Sequence, residues 1–345
     1  MQTTLPRTSS APSTVARCWA LPRRRRGVQK DQASPAWAVL AWVVALVTFF
    51  PVLHMVLTGF KHESDAVDLP PRLLPVPGIE ESAAPAEGVS AEPAADAADR
   101  PAEATGGVDL RFDPTLEQYE TILGREFMPF FRNSAFASLG STALVMLLAI
   151  PAAYGLALRP TKKWKDVLFF FISTRFLPAS GVIVPLYILF SANGDPKLGG
   201  FGLDLLGTMR GLIILYTAMN LPIAIWMLRS FFEEVPRDVL DAARVDGAGV
   251  MREMTQILLP MVAPGIAATV FISIIFAWNE FFLAVSLAAV GTSTVPIFMV
   301  KFVTAEGLFW AKLAASSTMA VLPIVLLGWI AQKQLVRGLS MGAVK

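Results

Sequence analysis

Few residues in this chain are able to do chemistry, and most of them sit in apolar surroundings. Arg175 lies eight residues into an apolar run, roughly 12 Å deep at about 1.5 Å per residue. Asn279 and Glu280, inside the phrase FAWNEFF, fall roughly 25 Å along a second run. Asn220, just before Pro222, interrupts a third. Charge taken into hydrocarbon is costly, so such residues usually face a cavity or a partner and line a solute path. By these depths Arg175 and Glu280 stand too far apart along the membrane normal to pair, provided both helices are straight. Pro178 and Pro185 are points where the first of those helices can break. A plainer reading stays open for each: Glu280 at the interface, Arg175 snorkelling to the headgroups, Asn220 steadying a kink.

What is missing narrows the chemistry further. No G-x-x-x-x-G-K-[ST] run exists to cradle nucleotide phosphates, and no G-x-S-x-G elbow or H-E-x-x-H pair is present. One cysteine, Cys18, and two histidines, His54 and His62, leave neither a disulfide framework nor a cluster of metal ligands. The chain is expected to hold no catalytic residue, no cofactor and no metal.

The elements that must position these residues are membrane spans. With 54% hydrophobic and 16% charged residues over 345 positions, the chain is too apolar for an ordinary soluble domain. Six apolar segments, near 36–60, 133–158, 167–191, 209–231, 263–288 and 310–330, each approach the roughly 20 residues a bilayer needs. The first is too long for a cleavable leader. The basic tail 1–35, with four arginines at 23–26, reads as a topological anchor rather than a nucleic-acid patch. Between the first two spans runs a long polar loop, 61–131. Its middle, 75–109, carries eight carboxylates against Arg100 and too little apolar surface to fold alone, so it is expected to be disordered. Its flank 112–131 has the spacing of a helix lying on the membrane surface. The small residues Ala152, Ala153, Gly155 and Ala157 suit helix packing. Six spans put both termini on one face. Lysines and arginines number 18 on the face holding the termini, the 159–166 hairpin and the segment from Arg229 to 262, against 9 on the other, so the first face is expected to be cytoplasmic.

The segment from Phe232 to Pro264 is polar between two apolar neighbours. Pro236 suits a first helical position, and nothing breaks a helix from there to Val245. Val239, Ala242 and Ala243 form a narrow small-residue face with Arg237, Asp238, Asp241 and Arg244 around it. Gly247 can end this helix, and a second is expected from Val250 until Pro260 stops it. The prediction is therefore a helix, a glycine elbow and another short helix, outside the lipid.

Asp241-Ala242-Ala243, Gly247 three residues on, Ile257 nine beyond that and Leu259-Pro260 resemble the EAA–x3–G–x9–I–x–LP signature of ATP-binding-cassette importer permeases. Asp241 stands where the signature has Glu, one methylene shorter. In that family the loop is a coupling helix seated in a cleft of the cytoplasmic ATPase, so the resemblance implies a coupling role for Asp241, Ala242, Ala243, Asp246, Gly247, Ile257, Leu259 and Pro260. Pro185-Leu186-Tyr187, the box at 278–281 and the ending LVRGLSMGAVK resemble the maltose-type carbohydrate branch. Ser173-Thr174-Arg175 and the stretch 306–313 are most similar to sorbitol/mannitol-type permeases. The acidic stretch 75–109 looks like an insertion in that frame. What the likeness implies is an all-α membrane protein of the type I importer permease fold, with a core at 132–345. It also implies a second permease subunit, an ATPase dimer carrying ATP and Mg, and an extracytoplasmic solute-binding protein, with membrane lipid around and no nucleic acid. Arg175, Asn220, Asn279 and Glu280 are then candidates for the translocation path, and the solute a sugar alcohol or small oligosaccharide moved by alternating access. Two rivals remain: an ion-coupled secondary carrier, which would need midplane ionisable groups or inverted repeats, and a membrane scaffold that does not transport.

Overall fold

The computed structural model describes residues 35–66, 73–75, 111–124, 127–159, 162–191, 202–304 and 307–341. The disorder expected for 1–35 and 75–109 therefore falls, but for their end residues Pro35 and Pro75, outside the described residues. The chain divides into two units, Met1–Pro51 and Val52–Lys345. The described part of the first is the start of α1 (Pro35–Thr58), an apolar helix whose side chains at 36–51 are all exposed, as suits a lipid-facing rod.

The second unit begins with a short α2 (Glu63–Ala66) and a two-residue strand β1 (Leu74–Pro75), which pairs in parallel with β2 (Arg111–Phe112). The stretch 112–131 is not one surface helix. It divides into α3 (Glu117–Gly124), which buries Gln118 and Ile122 and packs on other helices of the bundle, and the first turn and a half of α4 (Phe127–Leu158). Phe127 and Phe130 are buried there, so the aromatic residues of this flank cover protein. α4 and α7 (Met209–Glu233) lie along one another as the central pair of the unit. Small and hydroxylated residues let them approach: Ser138, Ser141 and Thr217 are buried, and the Thr217 hydroxyl lies 3.4 Å from Ser141 O across the pair.

The third span is not a straight rod. It is α5 (Trp164–Arg175) and α6 (Ala179–Phe190), which meet at 94°. Pro178 caps α6 with ψ 127°, and its ring disfavours helical backbone at Leu177, so the turn falls at 176–178. The fifth span is interrupted as well. α11 (Ala263–Trp278) stops at Asn279, and α12 (Phe282–Leu287) resumes after a three-residue gap. A 3₁₀ turn, α13 (Val295–Val300) and a hairpin of β3 (Val303–Thr304) with β4 (Gly307–Leu308) then lead to α14 (Trp310–Met341). α14 runs 11 residues past the expected end of the last span. Its first turn is capped from far away in sequence, by the Glu63 carboxylate, which accepts from Ala311 N at 3.0 Å. Among the described residues, four helices are long and apolar enough to cross a bilayer, and up to six crossings result if α5 with α6, and the stretch 250–261 with α11, each count as one.

Candidate functional site

Between α7 and α11 the chain leaves the bundle and returns. α8 (Arg237–Val245) starts one residue later than expected, with Pro236 as its N-cap. Gly247 follows with φ +78°, and two bonds close the helix end: Ala248 N to Ala243 O at 2.9 Å and Gly247 N to Arg244 O at 3.0 Å. This pair of bonds is a Schellman motif, which needs a left-handed residue at that position and so favours glycine. The second helix is α9 (Val250–Arg252), a π-helical segment Glu253–Leu258, and α10 (Leu259–Met261). Pro260 does not stop it. The wider π turn, in which Leu259 N bonds Met254 O, moves the preceding carbonyls away from the proline ring, and the chain bends only at Val262. The small-residue face also divides differently from the prediction. Leu240 packs inward with Phe232, Val235, Leu258 and Val262, and Ala243 is buried, while Val239 and Ala242 are exposed. Ile257 and Leu259 are half-buried against the same cluster, and Asp241, Asp246 and Pro260 are exposed.

The loop is fastened to the end of α4 by ionic contacts. Glu253 is fully buried. Arg244 grips both its oxygens, Nε to Oε2 and Nη2 to Oε1, each at 2.9 Å, a bidentate geometry among the stronger pairings available. The Tyr154 hydroxyl of α4 donates to Oε1 at 2.9 Å, and Arg159 Nη2 stands 3.9 Å from Oε2. Arg244 also bonds Asp241 Oδ1 at 2.9 Å. The Arg244 guanidinium holds the Glu253 carboxyl below the usual carboxylate range; burial opposes this, and the Tyr154 hydroxyl and Arg159 reinforce it.

The four residues expected on a path separate into two groups. Arg175 and Glu280 line one cavity of about 380 Å³, walled by Leu186, Leu215, Met219 and Pro222. The vertical separation expected for straight helices does not hold, because the bend at 176–178 and the gap at 279–281 bring both helix ends to the same place. Arg175 Nη1 donates to Met219 O at 3.0 Å, and its guanidinium lies 5.2 Å from the centre of the Phe276 ring. Glu280 Oε1 accepts from Leu283 N at 2.8 Å, capping α12. Asn279 does not reach the cavity; its amide donates to Ile275 O of its own helix at 2.9 Å. Asn220 is fully buried between helices, with its amide 3.4 Å from Ser273 O, and α7 continues through Pro222. A larger cavity of about 560 Å³, lined by Lys301, Lys312 and the rings of Phe298, Phe302 and Phe309, contains none of the predicted path residues.

The family described as binding-protein-dependent transport system inner membrane component matches residues 146–340, which run from the latter part of α4 through α7 and the loop to the last helix. The Probable ABC transporter permease protein y4oR of Sinorhizobium fredii is 32% identical over 90% of this chain and 95% of its own length. The chain belongs to this permease family. The sulfoquinovosyl glycerol transport system permease protein SmoH of Agrobacterium fabrum is 31% identical over 67% of the permease and 79% of its own length. The trehalose transport system permease protein SugB of Mycobacterium tuberculosis is 30% identical over 67% and 82%. A crystal structure of a bacterial ABC transporter involved in the import of alginate shares the fold, with a TM-score of 0.62, 18% identity, and coverage of 87% of the permease and 95% of that chain. The permease is thus a multi-pass, carbohydrate-type ABC importer subunit.

Sequence reasoning about the permease missed Tyr154, Arg159 and Glu253, and it read Arg244 as surface decoration. A signal existed for Glu253: it follows Val250 by three and precedes Ile257 by four, so a helical wheel puts it on an apolar face. A carboxylate on such a face needs a buried cation.

Proposed function

We propose that this permease imports a polyhydroxylated carbohydrate by alternating access, driven by a separate ABC ATPase dimer that docks on α8 and the Gly247 elbow. The observation that carries the reading is the elbow itself. A rigidly closed helix end presents Val239, Ala242 and Val245 outward, with exposed charges around them, while its inner face is packed into the α4–α7 core. A surface of that kind can take up a push and pass it inward. Asp241, Ala242, Ala243, Asp246, Gly247, Ile257, Leu259 and Pro260 form the coupling loop, the first five at or near the partner and the last three as its root. ATP and Mg belong to the ATPase, with no cofactor in this chain.

Arg175 and Glu280 offer the solute opposed donors and an acceptor on one cavity, chemistry suited to hydroxyl groups. Asn220 and Asn279 support the walls of that path. The relatives named for trehalose and sulfoquinovosyl glycerol favour a sugar; the phrases at 173–175 and 306–313 favour a sugar alcohol of the sorbitol/mannitol type. A second permease subunit, which would cover the exposed α5–α6 face, and a solute-binding protein complete the assembly in the cytoplasmic membrane. The lysine and arginine bias places the loop and both termini in the cytoplasm, with the acidic insert 75–109 outside. Reconstituting the four-component complex and measuring ATP-dependent uptake of labelled mannitol and trehalose tests the reading. Uptake that persists without ATP but follows an ion gradient overturns it. So does labelling of a cysteine at position 241 from outside intact cells, in a Cys18→Ser background.

A further inference from the structure

We infer that Glu253 is a positioning residue that makes the coupling loop and the end of α4 move as one body, so that work delivered at α8 enters the bundle through α4. This rests on the reading of the loop as the coupling element.

The covalent path from α8 leads elsewhere: through the π-helical segment to Val262, where the chain turns sharply into α11. A bend of 82° between the two helical arms is a poor strut. The non-covalent path is shorter and stiffer. From Asp241 on the exposed face it runs to Arg244, from Arg244 by two bonds to Glu253, and from Glu253 to Tyr154 on α4 and Arg159 just beyond its end. Glu253 is wholly removed from solvent, and both its oxygens are engaged. A buried carboxylate in this state resists sliding, because any displacement that breaks one contact strands charge in a medium that solvates it poorly. Two arginines face it from two different elements, so neutralising it leaves them repelling each other across the joint. Beyond α4, close packing carries displacement to α7, whose Leu215, Met219 and Pro222 wall the Arg175–Glu280 cavity. Glu253 opens the π-helical segment, a feature that often occurs at working sites.

The test uses the whole complex in proteoliposomes and compares solute imported per ATP hydrolysed for wild type, Tyr154→Phe, Glu253→Gln and the double variant. Tyr154→Phe removes one hydroxyl and keeps the ring, so it leaves packing intact where Glu253→Gln risks the fold. The expected result is hydrolysis close to wild type and a transport ratio lowered about two- to thirty-fold in each single variant. The double variant falls no further than the worse single one, because both changes cut the same joint. An unchanged ratio in Tyr154→Phe, or losses that multiply in the double variant, overturns the inference. A wild-type complex that imports nothing with ATP would instead sink the proposed function, which keeps the two failures apart.

Discussion

Replacing Gly247 in a graded series tests the elbow most directly. Its φ is +78°, and a Cβ added there would meet nothing within 4 Å. Cost therefore arises from backbone strain alone, with no clash inside the chain to confuse it. An L-residue with a Cβ pays about 1–2 kcal/mol to hold left-handed backbone, so Gly247→Ala should depopulate the closed elbow about 5- to 30-fold. Asn visits that region readily and Gly247→Asn should stay close to wild type. Proline is fixed near φ −65° and has no N–H, so Gly247→Pro both forbids the conformation and deletes the bond to Arg244 O. The helix end opens, and the coupling surface loses its shape. Initial rates of ATP-dependent uptake in proteoliposomes should follow the order Gly, Asn, Ala, Pro, reaching background at Pro, with equal amounts of each variant inserted. Free transport by Gly247→Pro refutes the assignment of this loop. Equal damage from Asn and Pro would show that side-chain bulk against the partner, and not the φ angle, decides the outcome.

Three further outcomes follow from the geometry. Gly265→Ala would set a Cβ 2.4 Å from Cγ of the Phe231 ring, so the ring must move, and stability should drop by about 1–3 kcal/mol, read as a lower melting temperature in detergent. Arg175→Met removes the charged donor to Met219 O and from the cavity; uptake should weaken by the about 1.5–3 kcal/mol of such a bond, roughly 10- to 150-fold in uptake rate over KM. Glu253 has its carboxyl pKa depressed in the folded loop, so its contribution is complete above the unfolded value of about 4.3 and is lost as pH falls through the folded one. Amide protection factors, corrected for the intrinsic pH dependence of exchange, should hold steady across 237–258 from neutrality to about pH 4.3 and fall below it, and Glu253→Gln should flatten that profile.

Much of this architecture was readable from composition and spacing. Spans, loop and elbow follow from rules that are local in sequence: run length, glycine at a helix end, a missing nucleotide fold. The corrections share a different origin. Pro178 and the gap at Asn279 change direction as well as structure, and direction decides whether Arg175 and Glu280 meet. Hydropathy gives the length of a segment and says nothing of a right angle within it. Pro260 was misplaced as a stop because the π turn that tolerates it has no strong sequence signature. Tyr154 lies 99 residues before Glu253, and a pairing of that range leaves no trace in helical periodicity. Asn220 and Asn279 show the converse: at membrane depth the side-chain amide N–H of each finds a backbone carbonyl, Ser273 O and Ile275 O.

The ladder of Leu74 with Arg111 and Pro75 with Phe112 brings the two ends of an acidic excursion side by side. Shortening that excursion from about 35 to about 12 residues changes the entropy of closing it by only about 1 kcal/mol. The transport machinery can therefore gain, lose or exchange cargo at this position without the helices noticing, which makes 76–110 a natural berth for grafted tags or sensors.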